Sequence, residues 1–462
     1  AQVSALSTTQ VAALTTDQVA AIETTDLVAM GTAQIAAMNT NQVTALTTAQ
    51  IGAMSTAAAR ALNTADVAAL TTDQVVALNS AQVGAMSSSQ FAAFNTSQLS
   101  AMETGDIAAV TSLQLSAINT AQTAALTTDQ IGVISSTALR ALNTSDVAAL
   151  TTDQIVALNS SQLAAMSTAQ IAAFNTKQIA AIETTDISAL NTAEVRAMNT
   201  ASVAALTSDQ IVAMNSTQLA AFSTTQVAAF NTTQVNAIET GDLAAMNSAQ
   251  ISVLNTAQAA ALSTAQIAVL NTTQVRALKT ADTAALSTDQ IVALTSAQIG
   301  AMSTAQIASL NSNQAAAIET GDLAGLNTAD MRAFSTAAVN ALTTDQIAAL
   351  NSAQLAALST TQVGALNTDQ VAAIETGDLV AMNTAQIAAF NTAQAVALTT
   401  AQIGAMNTNQ VKAFNTNDVV SLTTDQIVAL SSAQVGAMST TQIAALNTNQ
   451  AAAIETSDLA GL

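Results

Sequence analysis

The sequence predicts an all-α solenoid, a superhelix of very short capped helices with one helix in each repeat. Three observations lead to this fold: an octapeptide repeat without insertions, a helix N-cap signature in each octapeptide, and apolar residues spaced to share a helical face. The alternative is a β-solenoid, because an even repeat would keep one strand face consistent. Strand alternation, however, would place Val75 and Leu78 on opposite faces, so we favour the helical coil.

The octapeptide repeat stays in register from Ser7 to Leu462 and comprises 57 octads. The first residue is Ser, Thr or Asn in 48 octads, and the second residue is always Ser or Thr. A typical octad is T-T-D-Q-V-V-A-L at 71–78. No linker or change of composition interrupts the series, so residues 1–462 are predicted to form one continuous solenoid domain.

The octad contains the signals that start a helix. Ser, Thr or Asn followed three residues later by Gln is the capping box, in which two side chains bond to otherwise unpaired backbone N–H groups. An apolar residue before the cap and another four residues after it form the hydrophobic staple, as Leu70 and Val75 do around Thr71. Each octad is therefore predicted to form a helix of about six residues, too short to fold without stacked neighbours.

A longer period lies on top of the octads. The first residue is Glu at seven positions, in steps of 80, 80, 56, 80, 56 and 80 residues, and a cation stands 43 residues before six of them. A coil of about 3.4 octads per turn would bring both steps back to nearly the same face. We expect these residues to form a charged stripe that contacts a neighbouring subunit, with an ion pair inside the coil, or merely a favourable acid at a helix start, as the alternatives. The stripe candidates are Glu23, Glu183, Glu319, Glu375, Glu455, Arg60, Arg140, Arg196, Arg276, Arg332 and Lys412.

Four E-T-G-D segments offer carboxylate oxygens, which are the ligands that Ca²⁺ prefers, and two of them are taken as candidates. The calcium candidates are Glu103 with Asp106 and Glu239 with Asp242. The same residues also fit an ordinary helix start, where acids complement the positive end of the helix. No other cofactor is predicted.

The composition argues against several classes of function. The chain has no His, Cys or Tyr, which removes most general bases, nucleophiles and soft metal ligands, so no enzyme is predicted. A net charge of −21 opposes binding to nucleic acid. No apolar run approaches the length of a membrane span, so no membrane insertion is expected.

The tandem pattern L-[ST]-T-x-Q-[VI]-x-A-L resembles the long repeat regions of bacterial surface proteins that carry adhesin or haem-utilisation labels. The resemblance covers essentially the whole chain and implies secretion and a role in a surface fibre. Haem binding gains no support from these residues, because His, Cys and Tyr are absent and Met alone is a poor haem ligand.

We therefore expect a non-enzymatic structural protein, extracellular or on a bacterial cell surface, that self-associates into a filament, sheath or surface fibre. The series begins inside an octad and ends on an ordinary one, and solenoid ends without polar caps favour stacking on another copy or continuation in a longer chain. The alternative is a rigid adhesin stalk, or a rod that binds ice or another surface. Partners beyond the chain itself would be the cell surface or glycans.

Overall fold

The computed structural model describes residues 2–459, and within that range the chain is built from short helices and contains no strand. The predicted all-α solenoid is confirmed, and the β-solenoid alternative is wrong. The chain divides into two compact units, Ala1–Phe230 and Asn231–Leu462. Whether the two form one continuous body stays a prediction.

The α-helices of the first unit contain four to six residues each, one per octad. A short 3₁₀-helix, Val3–Ala5, precedes them. The α-helices are Thr8–Ala12, Thr16–Ala20, Thr24–Val28, Thr32–Ile35, Thr40–Thr44, Thr48–Ala53, Thr56–Ala61, Thr64–Ala69, Thr72–Val76, Ser80–Ala85, Ser88–Ala92, Thr96–Ala101, Thr104–Ile107, Ser112–Leu115, Thr120–Ala125, Thr128–Val133, Ser136–Leu139, Thr144–Ala149, Thr152–Val156, Ser160–Leu163, Thr168–Ala173, Thr176–Ala181, Thr184–Ile187, Thr192–Ala197, Thr200–Ala205, Ser208–Ala213, Ser216–Ala221 and Thr224–Ala228.

The second unit repeats this arrangement, except that octad 319–326 forms the 3₁₀-helix Asp322–Gly325 and the described residues of the last octad, 455–459, form no α-helix. Its α-helices are Thr232–Ala237, Thr240–Ala245, Ser248–Ser252, Thr256–Ala260, Thr264–Val269, Thr272–Ala277, Thr280–Ala284, Thr288–Val292, Ser296–Ala301, Thr304–Ser309, Ser312–Ala317, Thr328–Ala333, Thr336–Ala341, Thr344–Ala349, Ser352–Ala357, Thr360–Ala365, Thr368–Ala373, Thr376–Leu379, Thr384–Ile387, Thr392–Ala397, Thr400–Ala405, Thr408–Ala413, Thr416–Ser421, Thr424–Val428, Ser432–Ala437, Thr440–Ala445 and Thr448–Ala453.

The predicted capping box starts most of these helices. In octad 71–78 the Thr71 hydroxyl accepts a hydrogen bond from the Gln74 N–H at 3.2 Å, and the Gln74 Oε1 accepts one from the Thr71 N–H at 2.9 Å. The helix ends where the last residue of an octad takes an extended conformation, as Leu70 does with φ −52° and ψ 138°. Because the next N-cap residue is also extended, the chain reverses without any residue of positive φ in the described range.

The core consists of the fifth and eighth residues of the octads. Val75 is 0% and Leu78 4% exposed, and the equivalent Val, Ile, Leu, Met and Phe side chains are buried along both units. The two positions are three residues apart, so a helix presents both to the same side, as the sequence predicts. The small Ala between them allows neighbouring helices to approach closely.

Each octad contacts octads of the neighbouring turns. Within each unit a helix packs against the third helix before it and the third after it. Side chains also bond to the fourth octad before, as from Gln74 to Leu46. A turn therefore holds between three and four octads, which agrees with the predicted value of about 3.4 and excludes two.

A ladder of buried Gln side chains joins the turns. The Nε2 of Gln74 donates hydrogen bonds to the carbonyl oxygens of Val43 at 3.0 Å, Thr44 at 3.2 Å and Leu46 at 2.7 Å. Other Gln residues at the fourth octad position donate in the same way to carbonyls 28 to 31 residues earlier, for example Gln410 to Met382 and Gln450 to Leu422. Each of these Gln side chains thus caps its own helix and forms hydrogen bonds to an earlier turn.

No helix among residues 2–459 has the length and apolar character needed to cross a membrane.

Candidate assembly surface

The Glu residues that begin octads are exposed wherever the structure describes them. In the α-helical octads that begin at Glu23, Glu103, Glu183, Glu239 and Glu375, the Glu side chain forms no cap hydrogen bond. Ser, Thr and Asn have short side chains that reach back to the helix N–H groups, and the longer Glu chain does not do so here. The Glu carboxylates, including Glu319 and Glu455, are therefore left at the surface.

In five of the Glu octads the Asp three residues after the Glu is buried or half-buried and bonds to a Ser of an earlier turn. The Ser80 hydroxyl donates to the Asp106 carboxylate at 3.1 Å, and Asp106 is 4% exposed. Burial raises the pKa of Asp106, the bond from Ser80 lowers it, and the nearby Glu103 carboxylate raises it further. The same Ser–Asp bond, 26 residues apart, joins Ser160 to Asp186, Ser296 to Asp322, Ser352 to Asp378 and Ser432 to Asp458.

The calcium candidates lie as pairs. Glu103 is exposed while Asp106 is buried, and Asp242 is half-buried beside the exposed Glu239. Within residues 2–459 no three acidic side chains converge in a metal-binding arrangement. Calcium binding at these pairs stays a prediction. Each pair would provide two carboxylate groups as ligands.

The predicted cations are also exposed. Arg60, Arg140, Arg276 and Lys412 lie four octads after a Glu octad, in a neighbouring turn, whereas the octads of Arg196 and Arg332 directly follow a Glu octad along the chain. Gln274, two residues before Arg276, bonds to the Met246 carbonyl of the octad that begins at Glu239. Arg196 and Arg332 each donate from Nε to a carbonyl 25 residues later, at 3.1 Å and 3.2 Å.

No stripe cation lies within ion-pair distance of an octad-starting Glu in the described part of the chain. An ion pair with these Glu residues is therefore not formed there. Arg60, Arg276 and Lys412 are exposed. Burial raises the pKa of the Glu194 carboxyl, and the Arg140 charge lowers it.

A row of exposed acidic residues follows each unit, which we call the acidic row. Most successive octads of the row are three or four octads apart, the separation at which neighbouring turns meet, and three steps are six octads long. In the first unit the row contains Glu23, Asp73, Glu103, Asp129, Asp153, Glu183 and Asp209. In the second unit the row contains Glu239, Asp289, Glu319, Asp345, Glu375 and Asp425.

The acidic row also carries exposed valines. Val292 lines a shallow groove of about 500 Å³ together with Glu319 and Asp345. Eleven valines are exposed in the described chain. Eight of them lie in octads of the row, and Val269 lies in octad 263–270, midway between the row octads that begin at 239 and 287. These nine are Val28, Val76, Val133, Val156, Val212, Val269, Val292, Val380 and Val428, with exposed fractions of 38% to 50%. Exposed carboxylates and exposed valines therefore share this surface.

Sequence reasoning missed the acidic row and the Ser–Asp bonds, although both have a signal in the sequence. The second octad position is usually Thr. Ser stands there 26 residues before the fourth-position Asp in six of the octads that begin with Glu. These residues are Ser80, Ser160, Ser216, Ser296, Ser352 and Ser432. The [ST]-[ST]-D-Q octads that begin at 71, 151, 207, 287, 343 and 423 repeat with the same 80- and 56-residue steps as the cations. Only the number of octads per turn shows that these series meet the Glu series on one face.

The chain was compared with known protein families and with curated proteins. No curated protein gave a match. The family model described as the ALTTAQ repeat matches thirteen overlapping or consecutive stretches that cover most of the chain. They are residues 19–56, 48–80, 99–136, 132–160, 155–181, 179–216, 235–272, 267–296, 315–352, 348–373, 371–408, 403–432 and 411–448. With its octads, its capped helices and these matches, the chain belongs to the ALTTAQ repeat family.

Proposed function

We propose that this chain is a non-enzymatic structural protein that self-associates into a filament, sheath or surface fibre outside a bacterial cell. The observation that carries the proposal is the acidic row, where exposed carboxylates and exposed valines coincide at intervals of the longer repeat. The surface location rests on the resemblance to repeat regions of bacterial surface proteins.

The occupant that fits the acidic row best is a second copy of the chain. The cations from Arg60 to Lys412 recur with the same 80- and 56-residue steps as the Glu residues from Glu103 to Glu455, at a constant offset of 43 residues. A neighbouring copy displaced along the coil by this offset would bring each cation opposite a carboxylate. The valines would lose contact with water in the same interface, which is the main favourable term in association.

The regular Gln ladder supports the same role. Every turn presents carbonyl acceptors to the next turn and Gln donors to the previous one, so the coil has a direction and can be extended without changing its interface. Such a body suits a load-bearing or spacing element, because its length is set by the number of octads alone.

Negative-stain electron microscopy and sedimentation velocity of the full chain, each over a dilution series, test the proposal. We expect filaments or bundles of uniform width that dissociate on dilution. Separate short rods at every concentration would contradict self-association and would favour the alternative of a rigid adhesin stalk or surface-binding rod.

Charge variants test the interface. Replacing Arg276 and Arg332 by Gln changes the net charge by two and should weaken association, whereas Lys177→Glu changes the net charge equally at an exposed site outside both series. Equal effects of the double variant and the control would show that only net charge matters. A second test reverses the charges: the Arg276→Glu, Arg332→Glu variant should co-assemble with the Glu319→Arg, Glu375→Arg variant better than either assembles alone.

A further inference from the structure

Octad 415–422 is one of seven octads of the second unit that carry Asp in place of the ladder glutamine. Gln410 and Gln426, in the octads on either side, donate from Nε2 to the carbonyls of Met382 at 2.8 Å and Leu398 at 2.6 Å. The corresponding residue of octad 415–422 is Asp418, which has no amide to donate. The Phe390 carbonyl, which occupies the acceptor position in the fourth octad before, receives no hydrogen bond within the described chain.

Asp418 is buried with one oxygen unsatisfied. Its side chain is 1% exposed. The Oδ2 accepts a hydrogen bond from the Asn415 N–H at 3.3 Å, and the Oδ1 is buried without a partner. A buried polar atom without a partner costs free energy, and a buried charge costs more unless it is paired.

The surroundings provide no counter-charge. The helix Thr416–Ser421 packs against Thr392–Ala397 and Thr440–Ala445, and octads 383–390 and 447–454 follow at the four-octad separation. None of these octads contains Asp, Glu, Lys or Arg, and Asp418 is the only ionisable side chain in its own octad. Burial therefore dominates and raises the pKa of Asp418 above its ordinary value of 3.8, while the hydrogen bonds from Asn415 lower it by less.

We propose that octad 415–422 is a pH-sensitive joint, closed against the neighbouring turns while Asp418 is protonated and loosened when Asp418 ionises. The protonated carboxyl is neutral and gains an O–H donor, which restores the kind of group that the ladder Gln supplies elsewhere. The ionised carboxylate has only acceptors and lies in an interface of carbonyl acceptors and apolar side chains.

The direction of the pH effect follows from the linkage between proton binding and folding. Because the folded chain holds this proton more tightly than the open chain, the stabilisation is complete below the ordinary value of 3.8 and is lost as pH rises through the raised pKa. Between those two values the local opening equilibrium should change by up to about tenfold per pH unit.

Hydrogen–deuterium exchange of the full chain, followed by mass spectrometry from about pH 4 to pH 8 and corrected for intrinsic exchange rates, measures this equilibrium. We expect peptides that cover 415–422 to open more as pH rises. Asp418→Asn, neutral and of equal size, should remove the pH dependence and keep the octad closed at neutral pH. Asp418→Gln, the commonest residue at this position, should do the same while restoring the ladder donor.

The matched control is Asp369→Asn, which removes an exposed carboxylate of the same unit outside the acidic row. This control should leave the pH dependence of 415–422 unchanged. The proposal is overturned if the Asp418 variants keep the wild-type pH dependence, or if Asp369→Asn abolishes it. Because neither Asp369 nor Asp418 belongs to the acidic row, the comparison does not depend on the proposed self-association.

Discussion

Replacing Gln74 by Leu tests whether the Gln ladder holds the turns together. Gln74 is 3% exposed and makes two kinds of contact. Its Oε1 accepts from the Thr71 N–H of its own helix, and its Nε2 donates to the carbonyls of the earlier turn, including Leu46 at 2.7 Å. Leu has a similar volume and cannot form either contact.

The expected loss of free energy of unfolding in Gln74→Leu comes mainly from the contact between turns. The Leu46 carbonyl would lose its Gln donor in a buried position, which costs about 1–3 kcal/mol. Loss of the capping contact at Thr71 adds about 0.5–1 kcal/mol, because Thr71 is exposed and water can replace it. The sum is about 1.5–4 kcal/mol, so local opening around 39–46 and 71–78 should increase roughly 12- to 700-fold.

Gln18→Leu is the matched control, because Gln18 is exposed and its Oε1 accepts from the Thr15 N–H at 2.9 Å without bonding an earlier turn in the described chain. It should lose only the capping contribution of about 0.5–1 kcal/mol. Hydrogen exchange of both variants under identical conditions gives the two local free energies. If Gln74→Leu and Gln18→Leu cost the same, the ladder between turns contributes nothing and the reasoning is refuted.

Two further predictions concern packing. Gly325→Ala should destabilise the second unit by about 1–3 kcal/mol in urea unfolding, because a Cβ at Gly325 would overlap the Ser296 carbonyl oxygen, whereas Gly321→Ala in the same octad meets nothing within 4 Å and should be nearly neutral. Leu115→Ala should cost about 2–5 kcal/mol, because this side chain is 1% exposed in the core, whereas Leu113→Ala at 75% exposure should change the free energy of unfolding by less than about 0.5 kcal/mol.

The local structure could be predicted from the sequence because its signals are local. Thr71 and Gln74 are three residues apart, so their reciprocal bonds depend only on the backbone of one helical turn. The charged stripe as a contact with a neighbouring subunit stays a prediction. The Glu side chains do not cap their helices, and the valines and [ST]-[ST]-D-Q acids of the acidic row were missed.

The sequence by itself determined the octad, its capped helix and its buried face, because each depends on residues within one repeat. Only the tertiary structure decided which octads meet across turns. The sequence does not show which earlier carbonyl the Gln74 amide contacts. The amide bonds to the Leu46 carbonyl, 28 residues earlier, because of the number of octads that complete one turn. The same packing leaves Val292 beside Glu319 and buries Asp418 without a counter-charge, since exposure is fixed by neighbours that are distant in sequence.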